Sequence, residues 1–85
     1  METIFNENAL KEFNFWILEN RKNALRILDL IKSIDRDGVM KGLGKPEKLK
    51  YEDGYSRRID EKNRLIYRVE NGYIYISSCQ GHYND

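Results

Sequence analysis

The fold is decided by residues 64–78, which read Arg-Leu-Ile-Tyr-Arg-Val-Glu-Asn-Gly-Tyr-Ile-Tyr-Ile-Ser-Ser. Both ends of this stretch are rich in Tyr, Ile and Val, the residue types that favour β-strands. The central Asn71-Gly72 is the strongest short hairpin signal, because both residues of such a turn need a positive φ. We therefore predict two antiparallel strands, over 64–70 and 73–78.

Upstream of this hairpin the same β pattern continues. Residues 55–60 read as a third strand, joined to the hairpin through Glu61-Lys62-Asn63. Before it, residues 38–54 contain four of the six glycines and the single proline, Pro46, which is typical of a loop. A further short strand is predicted over 48–51.

The first half of the chain has helical periodicity. After a short strand over 2–5, Asn6 can cap a helix, and apolar residues follow at the spacing of one helical face: Ala9, Leu10, Phe13, Trp16 and Ile17. Asn20 ends this helix. A second helix begins near Arg21 and stops at Asp37-Gly38, with a stripe of Ala24, Leu25, Ile27, Leu28, Ile31 and Ile34. The predicted fold is α+β: a short N-terminal strand, an antiparallel helical hairpin, and a mainly antiparallel sheet with the helices on one face.

Length and composition narrow the class of protein. The 85 residues allow one domain, over 1–85. No apolar run is long enough to span a bilayer, and the N-terminus has no secretion-signal pattern, so a cytoplasmic location is expected. With one Cys and one His, the chain is expected to hold no disulfide, metal or cofactor.

The charge is unevenly distributed. Fifteen basic residues against fourteen acidic ones give a net charge of only +1, which argues against a generally basic nucleic-acid binder. Residues 41–68, however, hold nine basic side chains and five acidic ones. All six tyrosines lie in the second half of the chain. They suit an amphipathic sheet, and Tyr beside Arg or Lys also suits the binding of single-stranded RNA.

Candidate catalytic groups are few, and each has an ordinary structural interpretation. His82 and Glu47 read singly as solvated side chains, and Arg57, Arg58 and Arg64 read as a basic sheet face paired with Asp60 or Glu61. Together they meet the needs of metal-free RNA cleavage: Glu47 as the base, His82 as the acid, and Arg58 or Arg64 to stabilise charge on the phosphate. The acid and base roles can be exchanged.

Four blocks in order resemble the Txe/YoeB family of toxins, within the wider RelE-like group. They are Gly-Lys-Pro-Glu-Lys-Leu-Lys (44–50), Ser-Arg-Arg-Ile-Asp-Glu (56–61), Arg-Leu-Ile-Tyr-Arg-Val (64–69) and His-Tyr (82–83). The resemblance covers nearly the whole chain and includes the early Trp16. It implies a fold like that of microbial ribonucleases.

The resemblance also implies a function. Members are ribosome-dependent endoribonucleases that cut mRNA in the ribosomal A site and stop translation. Carried over by motif, Glu47 is the general base, His82 the general acid, Arg64 the transition-state arginine and Tyr83 a supporting residue. Lys50 and Arg58 match basic residues near the substrate. Lys45 and Lys50 lie in the Lys-rich loop over 41–50, which predicts that ribosome affinity depends strongly on salt.

The family further implies partners: a cognate antitoxin of the YefM/Axe type whose flexible segment wraps the toxin, a homodimer, and operator DNA through the antitoxin complex only. Three departures stand out. Asn84 and Asp85 follow the His-Tyr pair, the segment 51–55 is shorter than usual, and Gln80-Gly81 stands where some relatives carry a basic and an aromatic residue.

Two alternatives stay open at this point. One is a binding toxin of the same fold that poisons DNA gyrase, and the other is a catalytically weak RNA- or ribosome-binding module.

Overall fold

The computed structural model describes residues 1–81. Its elements are, in chain order, β1 (Glu2–Phe5), α1 (Glu7–Glu19), α2 (Arg21–Asp37), β2 (Glu47–Lys48), β3 (Tyr55–Arg58), β4 (Arg64–Glu70) and β5 (Tyr73–Ser78). The five strands form one sheet in the order β1-β5-β4-β3-β2. The strand β1 runs parallel to β5, and the other neighbours are antiparallel. The predicted α+β fold is confirmed.

The hairpin that decided the prediction is present. Strands β4 and β5 have the predicted bounds, and the turn residues Asn71 and Gly72 have φ values of 52° and 81°. The helical hairpin is also confirmed: the Asn6 side chain accepts a hydrogen bond from the Ala9 amide at the start of α1, and Asn20 caps α2 in the same way.

Two strand boundaries were wrong. The predicted strand over 55–60 ends at Arg58, because Asp60 instead organises the turn by accepting bonds from the Lys62 and Asn63 amides. Partial burial raises the pKa of Asp60, but hydrogen bonds from Asn23, Lys62 and Asn63 outweigh this and leave the pKa below its ordinary value. The strand predicted over 48–51 is the two-residue β2, which begins one residue earlier.

Both helices pack on one face of the sheet. The core between them is formed by Ala9, Trp16, Ala24, Ile27, Leu30, Ile34, Ile59, Leu65, Tyr67, Ile74, Ile76 and Cys79. The indole of Trp16 donates to the Cys79 carbonyl at 2.8 Å and so ties α1 to the end of β5. Burial raises the pKa of the Cys79 thiol to about 12, as expected for a small buried residue.

The helical periodicity overestimated the core. Leu10 and Ile17 on α1, and Leu25 and Leu28 on α2, fit the apolar spacing but are exposed. Phe15, beside Trp16 on α1, is exposed as well. One sheet face can cover only part of each helix, so these side chains form apolar surface on the outside of the hairpin. Within residues 1–81, neither helix is long and apolar enough to cross a membrane.

Candidate active site

Glu47 and Arg64 meet on the sheet face that points away from the helices, which we call the open face. Strand β2 is short, but it pairs Glu47 with Ser56 of β3, so the glutamate lies next to the start of β4. One carboxylate oxygen of Glu47 is 3.7 Å from the Arg64 guanidinium. The Glu47 side chain is 62% exposed and that of Arg64 only 8%, so an accessible carboxylate faces a largely buried cation.

Arg64 is fixed from two directions. Its Nη1 donates to the Ser56 hydroxyl at 2.8 Å, and its backbone amide donates to the Gly81 carbonyl at 2.8 Å. Arg58 lies directly opposite Arg64 in the register of β3 and β4 and is exposed. A guanidinium held in place in a poorly solvated position interacts strongly with charge that develops nearby.

Gly81 brings the end of the described chain to this site. Its amide donates to the Asn63 side-chain oxygen at 2.8 Å, while its carbonyl accepts from Arg64. Its φ of 80° lies in the left-handed region, which favours glycine at this position. The predicted catalytic residues His82 and Tyr83 lie outside the described residues.

The prediction that Arg57 belongs to a basic sheet face is wrong. It is fully buried on the helix side of the sheet, so it is not part of a basic face with Arg58 and Arg64. Neither Asp60 nor Glu61 pairs with it. Its guanidinium donates instead to the Tyr67 hydroxyl, the Ser33 hydroxyl and the carbonyls of Gly38, Lys41 and Leu43, at 2.7–3.0 Å.

This buried arginine organises the glycine-rich loop that precedes Glu47. The carbonyls it binds all belong to residues 38–43, and the loop then passes through Gly44, whose carbonyl accepts from the Arg58 amide at 2.6 Å. Gly44 has a φ of 87°, and a Cβ atom there would lie 2.7 Å from the Leu30 side chain and 3.2 Å from the Arg58 carbonyl, so glycine is favoured at this position. The loop therefore enters β2 from a fixed position.

The predicted RNA-binding residues surround Glu47 without forming a compact cluster. Lys45 and Lys50 are exposed on either side of it along the chain. Lys45 has a φ of 50°, which is uncommon for a residue with a side chain. Arg58 lies on the open face, opposite Arg64.

Two residues of the site were missed by the sequence reading. Ser56 alternates with Arg58 along β3, so the two-residue period of a strand could have placed its hydroxyl on the open face near Arg64. Asn63 binds Gly81 through its side chain, a contact that depends on the end of the chain returning to the turn before β4. No local signal in the sequence indicates that contact.

Comparisons with known proteins agree with this architecture. The model of the YoeB-like toxins of bacterial type II toxin–antitoxin systems matches residues 5–83. The toxin YoeB of Mycobacterium bovis is 43% identical over 93% of this chain and 94% of its own. A YoeB dimer from Staphylococcus aureus is 40% identical and superposes with a TM-score of 0.92 over 98% of both chains.

A second structure from Staphylococcus aureus, a YoeB–YefM complex, is 41% identical and superposes with a TM-score of 0.90 over 98% of both chains. The match of the family model to nearly the whole chain, together with relatives above 40% identity, shows the family. This chain belongs to the YoeB-like toxins of bacterial type II toxin–antitoxin systems.

Proposed function

We propose that this toxin is an endoribonuclease that cleaves mRNA in the ribosomal A site, without a metal, and thereby stops translation. The observation that carries the proposal is the exposed Glu47 carboxylate 3.7 Å from the largely buried Arg64 guanidinium. One group can accept a proton while the other holds a phosphate oxygen, which are two of the requirements for transesterification of RNA.

The reaction would proceed by attack of the ribose 2′-oxygen on the adjacent phosphorus. Glu47 takes the proton of the 2′-hydroxyl as the new P–O bond forms, and the bond to the 5′-oxygen breaks. His82 gives a proton to that leaving oxygen, and Tyr83 supports the site. The products are a 2′,3′-cyclic phosphate and a free 5′-hydroxyl, so protons and bonds balance.

Arg64 would bind the phosphate in this scheme. In the free protein its Nη2 faces Glu47, while Nη1 is held by Ser56. The planar guanidinium matches the geometry of a phosphate, and it can bind the non-bridging oxygens as negative charge accumulates there. Because Ser56 fixes the side chain before the substrate arrives, little reorganisation is needed at the moment of reaction.

The exposure of Glu47 supports the dependence on the ribosome. Strand β2 lies at the edge of the sheet, and the glutamate projects into solvent rather than into an enclosed cleft. A surface this open cannot by itself orient the RNA for in-line attack. An mRNA already held in the A site would arrive with its conformation fixed, and Lys45, Lys50 and Arg58 would contact its phosphates.

Transcript-end mapping in a translating extract tests the proposal. New RNA ends at ribosome-occupied codons are expected with the wild-type protein and are expected to disappear with Glu47→Ala and His82→Ala. A binding toxin such as a gyrase poison would arrest growth equally well with Glu47→Ala and would leave transcripts intact. That result would overturn the proposal that this toxin is a nuclease.

The exposed apolar residues of the helical hairpin suit a protein partner. Leu10, Ile17, Leu25 and Leu28 are surface residues, and large exposed apolar side chains typically mark interaction sites. We infer that a YefM-like antitoxin covers part of this surface, as the relative from Staphylococcus aureus forms a YoeB–YefM complex. Leu25→Ser and Leu28→Ser should weaken co-purification with the antitoxin, whereas unchanged co-purification would exclude this surface.

A further inference from the structure

Three side chains lie together on the open face, where β4 ends and β5 begins. Arg68 of β4 stands opposite Tyr75 of β5, and its guanidinium carbon is 4.3 Å from the centre of the Tyr75 ring. The Tyr73 ring lies 6.0 Å from that of Tyr75, inclined by 49°. We call these three residues the Arg–Tyr platform.

The platform shares its face with the candidate active site. Arg64 and Arg68 are four residues apart on β4, so both side chains point to the same side of the sheet. At about 3.3 Å per residue the two positions are about 13 Å apart along the strand. The alternate residues Val69 and Ile74 point to the opposite side, where Val69 packs on the helical core.

Part of the platform faces solvent. The Arg68 side chain is 47% exposed and Tyr73 is 38% exposed, so a flat guanidinium and a flat ring both offer surface to a ligand. Ile4 of β1, opposite Tyr75, is also exposed and extends the apolar area. Cross-strand packing alone would account for a ring and a guanidinium in contact, but it would not require their outer surfaces to be open.

We propose that the Arg–Tyr platform is a second subsite for single-stranded RNA, in which bases stack on Tyr73 and Arg68 while the chain continues towards Arg58 and Arg64. Stacking of bases on aromatic rings and guanidinium planes is the main way in which sheet surfaces hold single strands. The proposal deepens the proposed function, since it concerns the same mRNA substrate and the same face of the sheet.

The charged side chains on the open face limit the path that the RNA backbone can take. Arg58, Arg64 and Arg68 occupy positions along the open face and would attract phosphates. Two acidic residues lie beyond them, next to Tyr73: Glu70 is opposite Tyr73 on β4 and Glu2 is opposite it on β1. A carboxylate oxygen of Glu70 is 3.9 Å from Arg68. The acidic end would repel the backbone, so the platform forms the outer limit of the RNA path.

The test is binding of a short fluorescent oligonucleotide of 2′-O-methyl adenosine to the purified toxin, measured by anisotropy. Because the blocked 2′-oxygen prevents cleavage, binding is measured independently of catalysis. Tyr73→Ala should weaken binding about 5- to 150-fold, the fold-change that corresponds to loss of one base–aromatic stack. Tyr73→Phe retains the ring and should bind like the wild type.

Charge variants separate the platform from general attraction. Arg68→Ala should weaken binding and reduce the salt slope by about 0.7. Arg21→Ala, which removes the same charge from an exposed position on α2, should have little effect. Glu70→Gln removes the repelling carboxylate and should tighten binding. Equal effects of Arg68→Ala and Arg21→Ala, or equal losses with Tyr73→Ala and Tyr73→Phe, would overturn the proposal.

Cross-linking of the unaltered protein guards against misfolded variants. A 4-thiouridine oligonucleotide should cross-link to the peptide that contains Tyr73 and Tyr75, and cross-links confined to other peptides would refute the subsite. Absence of oligonucleotide binding would refute it too, while the mapped transcript ends could still support cleavage. Conversely, if the platform binds RNA but no new transcript ends appear, the subsite is supported and the proposed nuclease activity is contradicted.

Discussion

Arg57 and Arg58 are adjacent in the chain, yet they lie on opposite faces of the sheet and in opposite surroundings. Arg57 is fully buried beneath the helices, where hydroxyl and carbonyl oxygens accept hydrogen bonds from its guanidinium. Arg58 is exposed on the open face, opposite Arg64. The same residue type therefore holds the scaffold on one face and, in the proposed function, contacts the substrate on the other.

The difference teaches how a small domain can carry a reactive surface. On the helix side, Arg57 fixes the loop 38–43 and so the approach to Glu47. On the open side, the Glu47 carboxylate and the Arg58 side chain are exposed, while Arg64 is held beside them by Ser56. Stability and activity should consequently respond to different arginines, and each of the following predictions tests that separation.

The largest effect is expected from Arg57→Ala. The change removes a buried cation and leaves the Tyr67 hydroxyl and several loop carbonyls without a donor, which should lower the free energy of unfolding by about 3–5 kcal/mol. Chemical denaturation monitored by circular dichroism would measure the loss.

Arg58→Ala is the matched control for that experiment. It removes the same group from the neighbouring residue, but from the solvent-exposed face, so the free energy of unfolding should change by no more than about 0.5 kcal/mol. If both variants lost the same stability, the contrast between the two faces would be wrong.

The next effect concerns activity. Arg64→Lys keeps the charge but loses the planar fork that binds Ser56 and matches a phosphate. Cleavage in a translating extract should fall by about 10²-fold or more, while the free energy of unfolding should fall by only about 1 kcal/mol, for the lost hydrogen bond. Unaltered cleavage by Arg64→Lys would exclude this arginine from stabilising the transition state.

The sequence was sufficient for the elements that depend on local chemistry. Asn71-Gly72 specified its turn, and Asn6 and Asn20 specified the starts of the helices. The motif blocks also identified Glu47 and Arg64, which the structure brings together. For the turn and the helix starts, the signal lies within a few residues, where turn and capping geometry is determined.

The sequence was insufficient where long-range packing decides the outcome. Nothing near Arg57 indicates that loop carbonyls from residues 38–43 surround it, since that contact depends on how α2 and the sheet meet. Likewise, Leu25 satisfies the helical period but lies beyond the area that the sheet covers. Periodicity predicts which residues share a face and does not predict how much of that face is buried.

A smaller effect is expected from Tyr67→Phe, which tests the buried network without removing its charge. The Tyr67 hydroxyl accepts from Arg57 and donates to the Val39 carbonyl. Its loss should lower the free energy of unfolding by about 1–3 kcal/mol. Tyr73→Phe, at an exposed position, should change it by less than about 0.5 kcal/mol. A loss in Tyr73→Phe as large as that in Tyr67→Phe would contradict the buried network.

The smallest effect lies at the outer end of the same network. The Asp37 carboxylate binds Arg36 and accepts from the Ser33 hydroxyl, which itself accepts from Arg57. Arg36 and then Ser33 lower the pKa of Asp37 to about 2. A carboxyl whose pKa is lower in the folded state stabilises the fold above its unfolded value, near 3.8, and this contribution is lost as the pH falls towards 2.

Asp37→Asn should therefore flatten the fall in unfolding free energy between about pH 4 and pH 2, because the group that titrates there is gone. Thermal unfolding followed across that range would measure the slope. Asp35→Asn is a suitable control, since Asp35 lies outside the Ser33–Arg57 network and pairs with the N-terminus instead. An unchanged slope in Asp37→Asn would mean that the Asp37 carboxyl titrates alike in the folded and unfolded states, so that neither Arg36 nor the Ser33 hydroxyl at the edge of the Arg57 network stabilises its charged form.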